Sequence, residues 1–147
     1  MALPVKTELL KAIEAAINDI PEVREVIRNP SKPIDRETAK FPLVFIFDEA
    51  ESWAERNRIV MASMPVHVEV WLREKVEQAS NMADLLQAKI YQAITTDADV
   101  RFWSMRVRPD PDQTAAKFFV DEFLGGVILR YLADYSFKDG DPFAQAK

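Results

Sequence analysis

The sequence predicts an α+β domain: a mixed, mainly antiparallel β-sheet with two α-helices packed on one face. Three observations predict it. Apolar residues recur at spacings of three and four in two segments, near residues 5–20 and 82–94. A continuous run of β-formers, Leu43-Val44-Phe45-Ile46-Phe47, is bounded by Pro42 and by acids. In residues 66–73, apolar and polar side chains alternate. Helical spacing buries one stripe of a helix and period two buries one face of a strand. Two apolar helical stripes need an apolar layer to cover, and one face of a sheet supplies it.

The first helix carries Val5, Leu9, Leu10, Ile13, Ala16, Ile17 and Ile20 on one side and Lys6, Glu8, Lys11, Glu14 and Asn18 on the other. Pro4 suits its start and Pro21 stops it. Val26-Ile27 predicts a short first strand, broken by Asn29-Pro30-Ser31-Lys32-Pro33. The apolar run at 43–47 predicts a strand covered on both faces. In the strand at 66–73, Val66, Val68, Val70 and Leu72 face the core, and His67, Glu69, Trp71 and Arg73 face outward. Residues 48–64 form a long connection, part of which extends the flanking strands into a protruding hairpin; connections of this length are often functional. A second helix, capped by Ser80 or Asn81, has Met82, Leu85, Leu86, Lys89, Ile90, Ala93 and Ile94 as its buried stripe and ends at Thr95-Thr96-Asp97. Residues 102–107 read as a strand cut off by Pro109-Asp110-Pro111-Asp112. Phe118-Phe119-Val120 and residues 127–135 read as closing strands, with Gly125-Gly126 as the turn. We expect one domain over residues 1–137 and a polar, mobile tail over 138–147.

The 147 residues are 48% hydrophobic, enough for a single core without disulfides or a structural metal. With no cysteine, thiol catalysis, thiolate zinc sites and iron–sulfur clusters are excluded. No apolar run reaches the roughly 20 residues of a membrane helix. Met1-Ala2-Leu3-Pro4-Val5-Lys6 shows no basic segment followed by an apolar one, so a cytosolic protein is expected. The net charge is −5, and Arg24, Arg28, Arg56, Arg58, Arg106 and Arg108 are interleaved with acids. Tight binding to a nucleic-acid backbone is not expected.

Catalytic and metal-binding patterns are missing. His67 is the one histidine, which excludes a multi-histidine metal site. Beside Glu69 and without a nucleophile in the pattern, it reads as a surface or interface side chain. Asp48, Glu49, Glu51 and Glu55 cluster, but not at the spacing of a calcium loop, and Asp139-Gly140-Asp141 lacks that loop's closing glutamate. Three glycines provide no phosphate loop. Ser52, Ser63, Ser80 and Ser104 lack a nucleophile-elbow context. We therefore expect a protein that is not an enzyme and takes no metal or cofactor. Aromatic, arginine and methionine side chains placed on outer surfaces mark protein interfaces. Here those are Trp71 on its strand, and Trp53, Arg56, Arg58, Ile59 and Met61 in the long connection.

Taken in order, the amphipathic helix, Phe41-Pro42-Leu43-Val44-Phe45-Ile46, the acidic connection, Pro65-Val66-His67-Val68-Glu69-Val70-Trp71, the helix with Leu85, Leu86 and Ile90, and a closing strand near Arg130-Tyr131 resemble the tail terminator (tail-completion) proteins of long-tailed bacteriophages, of the minor tail protein U type. The resemblance spans residues 5–136 and rests on element order and strand character. It implies a virion protein of the phage tail, assembled in the host cytoplasm. Such a protein forms a ring, usually a homohexamer, that caps the tail tube, ends its polymerisation and joins it to the head connector. The implied partners are the chain itself, the tail tube protein and the head connector or neck protein, with no membrane, cofactor or catalytic residue. A ring needs head-to-tail contacts; the expected subunit interface is His67, Glu69, Trp71 and Arg73. Trp53, Arg56, Arg58, Ile59 and Met61 form the expected docking hairpin. DNA passes through the ring without specific binding, and Glu49, Glu51, Glu55, Asp110 and Asp112 are the expected acidic lining. The alternatives are another neck or head–tail connector component, or a small non-catalytic ligand-binding α+β domain.

Overall fold

A computed structural model describes residues 2–146. Helix α1, Val5–Asn18, buries Val5, Leu9, Leu10, Ala12, Ile13, Ala16 and Ile17, the stripe its periodicity predicts. Strands β1, Glu25–Arg28, and β2, Leu43–Asp48, run parallel, with Glu25 opposite Leu43. Strand β3, Ser52–Arg56, turns at Asn57 and Arg58 into β4, Ile59–Leu72. Both turn residues have positive φ, 54° and 63°, the backbone of a two-residue hairpin loop whose twist matches that of the strands.

Helix α2, Val76–Thr96, packs on the same core cluster as α1. A short helix α3, Ala98–Trp103, follows, and then β5, Arg106–Pro109; β6, Ala115–Asp121; β7, Leu124–Lys138; and β8, Asp141–Gln145. The sheet order is β1-β2-β4-β7-β5, with β3 also beside β4 and with β6 and β8 beside β7. Every pairing except β1 with β2 is antiparallel. The α+β class and mainly antiparallel sheet are as the sequence predicts. No described helix is long and apolar enough to cross a membrane.

The backbone of the molecule is the pair β4–β7, in register from Ile59 with Lys138 to Leu72 with Gly125. Alternate residues of β4, from Val60 to Leu72, are buried in the core together with both helices. The strand begins seven residues earlier than the alternation at 66–73 indicates, and Pro65 is the reason. A proline inside a ladder reads as a break. Here its carbonyl accepts from Glu49 N at 3.0 Å, so its missing N–H falls on the side where the chain leaves β2 and has not yet entered β3. No ladder bond is lost there.

Several local expectations are corrected. Helix α2 starts at Val76 with Lys75 in the cap position and no capping side chain; Ser80 and Asn81 lie within it. Its buried stripe is Ala79, Ala83, Leu86, Ile90 and Ile94. Leu85 is exposed, and Lys89 pairs with Glu22 at the surface. Residues 98–103 are helical because the Asp97 carboxylate accepts from Asp99 N and Val100 N, both at 3.0 Å, and so opens α3. Gly125 and Gly126 lie in β7, and the turn falls on Glu122 and Phe123. A Cβ on Gly126 would stand 1.8 Å from Val70 O, so these glycines serve close strand approach. The tail is no loose end: Phe137 pairs with Gln145 and Lys138 with Asp141 across a turn at Gly140, φ 76°.

Candidate functional site

Both long helices cover one face of the sheet. The other face is built from the alternate positions of β4 and their register partners. Leu43 and Phe45 of β2 lie opposite Trp71 and Glu69 of β4, which in turn face Gly126 and Ile128 of β7. Opposed residues share a face. Phe118 of β6 is opposite Gly126. Its ring meets that of Trp71 edge to face, with centroids 4.8 Å apart, over the space that the missing side chain of Gly126 leaves open.

This second face is partly sheltered. The segment 30–39 closes a cleft of about 310 Å3, which Ile34 and Ala39 line together with Leu43 and Phe45. Arg36 ties the segment to the far side through Asp121 at 2.6 Å and a hydrogen bond from Arg73 to its carbonyl at 2.9 Å. As a result Leu43 is 2% and Phe45 6% exposed, which accounts for a strand apolar on both faces.

His67, Glu69 and Trp71 share this face as predicted, and Arg73 lies just beyond the end of β4. All four already have partners within the chain. The Trp71 indole N–H donates to Glu69 at 3.2 Å. Arg130 Nε donates to His67 Nε2 at 3.1 Å, and His67 Nδ1 lies 3.0 Å from Glu49 Oε1. Accepting at Nε2 leaves the ring proton on Nδ1, which donates to Glu49. Both ring nitrogens are thereby occupied by fixed side chains, an arrangement that orders the surface and leaves neither nitrogen free for a substrate. No group of three or more metal-ligating side chains gathers among the described residues.

The hairpin residues divide between the faces. Trp53 is opposite Ala62, on the helix side; it is 60% exposed, with its ring edge on Phe137 at 5.0 Å. Met61, 42% exposed, points the opposite way with Ile59 and Arg56. Every residue of β3 is exposed. Arg58, at the tip, accepts at its carbonyl from Asp139 N at 2.9 Å, which joins this tip to that of the β7–β8 hairpin.

The acids of the expected lining have different surroundings within the chain. Glu51 is drawn inward. Its carboxylate takes Lys6 Nζ at 2.6 Å, Trp53 Nε1 at 2.7 Å and the Tyr135 hydroxyl. Lys6 also reaches Asp48 at 3.3 Å, and Asn29 donates to Asp48 at 2.9 Å. Glu49 is held by His67. Asp110 accepts from Asp112 N at 3.0 Å in the β5–β6 loop, beside Arg130. Glu55 stands apart on β3. No periodicity signals the Lys6–Asp48–Glu51–Tyr135 network, since its members come from α1, β2, the β2–β3 connection and β7.

That network has a pH signature. Burial pushes the Glu51 carboxyl upward, but hydrogen bonds from Lys6, Tyr135 and Trp53 outweigh it and hold the group below its ordinary value. In Asp48, burial is likewise outweighed by Asn29 and Lys6. Lys6 is raised, chiefly by its hydrogen bond to Glu51. Tyr135 is raised by burial and then by the neighbouring carboxylate. A carboxyl depressed in the folded state stabilises above its unfolded pKa, about 4, and that stability is lost as pH falls through the folded value. Glu51→Gln should therefore cost about 1 kcal/mol at neutral pH and flatten the loss of stability below about pH 4. Urea unfolding across the acid range measures both, and an acid limb as steep as the wild type's would sink this assignment.

A scan against models of known protein families gives no match, and a search of curated proteins gives none either.

Proposed function

We propose that this chain is a ring-forming virion protein, a homohexamer, that caps the tail tube of a long-tailed bacteriophage, ends tube polymerisation and joins the tube to the head connector. The observation that carries this reading is the exposed end of the β4–β7 pair. There the wholly exposed β3 and the joined hairpin tips present Trp53 and Met61 on opposite faces. Large exposed apolar side chains beside Arg56 and Arg58 are what a protein partner would bury. The order of helix, apolar strand, long hairpin, helix and closing strand agrees with the family resemblance. A single histidine with both nitrogens engaged favours a non-catalytic role.

In this reading the β3–β4 hairpin docks on the tube or a neighbouring subunit. Glu55 and Asp112, both exposed, are the acids best placed to meet passing DNA as repelling charges. The test is assembly. Purified chain added to growing tail tubes should appear as a ring at one tube end by electron microscopy and should arrest elongation. Met61→Asp should weaken that arrest at least tenfold while keeping the wild-type circular dichroism. Tubes that elongate unchecked and carry no ring would refute the proposal.

A further inference from the structure

Two surfaces at opposite ends of the molecule fit one another. At one end is the β6–β7 turn. Phe119, Val120 and Phe123 are there 48%, 53% and 50% exposed. Of its two acids, Asp121 is held by Arg36, whereas Glu122 makes no side-chain hydrogen bond or ion pair among the described residues. At the other end, the C-terminus of α2, α3 and the start of β5 enclose a groove of about 500 Å3. Its apolar lining comes from Ile94, Val100, Met105 and Val107, and its charged lining from Arg101 and Arg106. No acid lines it. Arg101 reaches back to Thr95 O at 3.1 Å; the Arg106 side chain has no hydrogen bond or ion pair among the described residues. Met105 and Phe102 beside it are 50% and 59% exposed.

We infer that the β6–β7 turn of one copy of this chain seats in the α2–α3–β5 groove of the next. Phe123 enters the apolar lining, and Glu122 pairs with Arg106. Glu122 shares a cleft with Arg36 and Arg73, and Arg106 stands opposite Asp134, but neither the Glu122 nor the Arg106 side chain makes a hydrogen bond or ion pair among the described residues. Set beside exposed apolar side chains, the two complement one another in charge and in character. Glu122 cannot reach the Arg106 of its own chain. Leu124 adjoins the turn and Asp134 is the register partner of Arg106; these lie ten positions apart in β7, roughly 33 Å. Two different surfaces on one chain make a head-to-tail contact, which closes a ring when the rotation allows. The inference rests on the ring proposed above and assigns its joint.

The natural absence of cysteine allows a direct test. Glu122→Cys and Arg106→Cys placed in the same chain should, with a thiol-to-thiol bismaleimide linker, give a ladder of oligomers, because an ion-paired glutamate and arginine hold their Cα atoms farther apart than the roughly 7 Å that a disulfide spans. An equimolar mixture of the two single variants should stop at a heterodimer. As a second reading, Glu122→Arg and Arg106→Glu should each weaken association about tenfold, and the double exchange should restore it. If the double-cysteine chain gives no ladder and the exchanged charges leave association unchanged, the inference is overturned. Rings that still cap tubes under those conditions would leave the proposed function standing with its joint elsewhere. A wild-type chain that forms no ring on tubes would remove both.

Discussion

Gly126→Ala should destabilise the protein by about 3 kcal/mol or more, the largest effect expected of any single methyl group here. The new Cβ would lie 1.8 Å from the carbonyl oxygen of Val70 and 2.9 Å from the Phe118 ring. The ring can turn aside; the backbone oxygen belongs to the central strand pair and cannot move without opening it. Gly140→Ala provides the contrast. Nothing lies within 4 Å of a Cβ there, and only its positive φ of 76° resists substitution, a cost of about 1 kcal/mol. Urea denaturation of the two variants gives the comparison. A Gly126→Ala midpoint no lower than that of Gly140→Ala would show that β4 and β7 approach less closely than described.

Trp71→Ala should cost about 2–3 kcal/mol in the isolated chain, somewhat less than a fully buried tryptophan because the ring is only partly buried. The side chain fills the hollow above Gly126 together with Phe118 and lies opposite Leu43. Trp71→Phe retains an aromatic ring there and should recover more than half of the loss. Wild-type stability in Trp71→Ala would mean that the ring contributes only to assembly. Of the residues expected at a subunit interface, Trp71 already has intramolecular work, so Met61 and Trp53 are the better probes of docking.

What the sequence disclosed follows from the range of the forces involved. Helix α1, β2 and the second half of β4 were legible because their burial repeats with the period of the local backbone. The first half of β4 was legible only as part of the hairpin expected within residues 48–64, and its exact start was not, because Pro65 interrupts the β-forming pattern there. Helix α3 carried a usable signal in Asp97, followed three positions later by Val100, but Phe102 and Val107 suggested a strand more strongly. Gly125-Gly126 read as a turn because glycine's conformational freedom is a local property, whereas its lack of a Cβ matters only once Val70 and Phe118 arrive from distant segments. Of the candidate site, the outward set His67, Glu69 and Trp71 was legible from alternation alone. Their partners Glu49, Arg130 and Phe118 were not, since register between strands is absent from periodicity. Proximity in sequence grouped Glu51 with Glu55, whereas Lys6, from another element, draws Glu51 inward and leaves Glu55 exposed on β3.

The long β4–β7 ladder also governs how the chain can fold. No rung of it joins residues closer in sequence than Leu72 and Gly125, whereas β3–β4 and β6–β7 are hairpins whose strands meet through short turns. The two hairpins can form locally, within microseconds to tens of microseconds. Their union must first close a loop that contains the whole of α2 and α3, an entropic cost met before any distant contact repays it. Joining β4 to β7 is therefore the slow event, and it creates the packed surface on which both helices settle. A destabilising substitution in that ladder should slow folding, and one on the outer side of α2 should chiefly hasten unfolding.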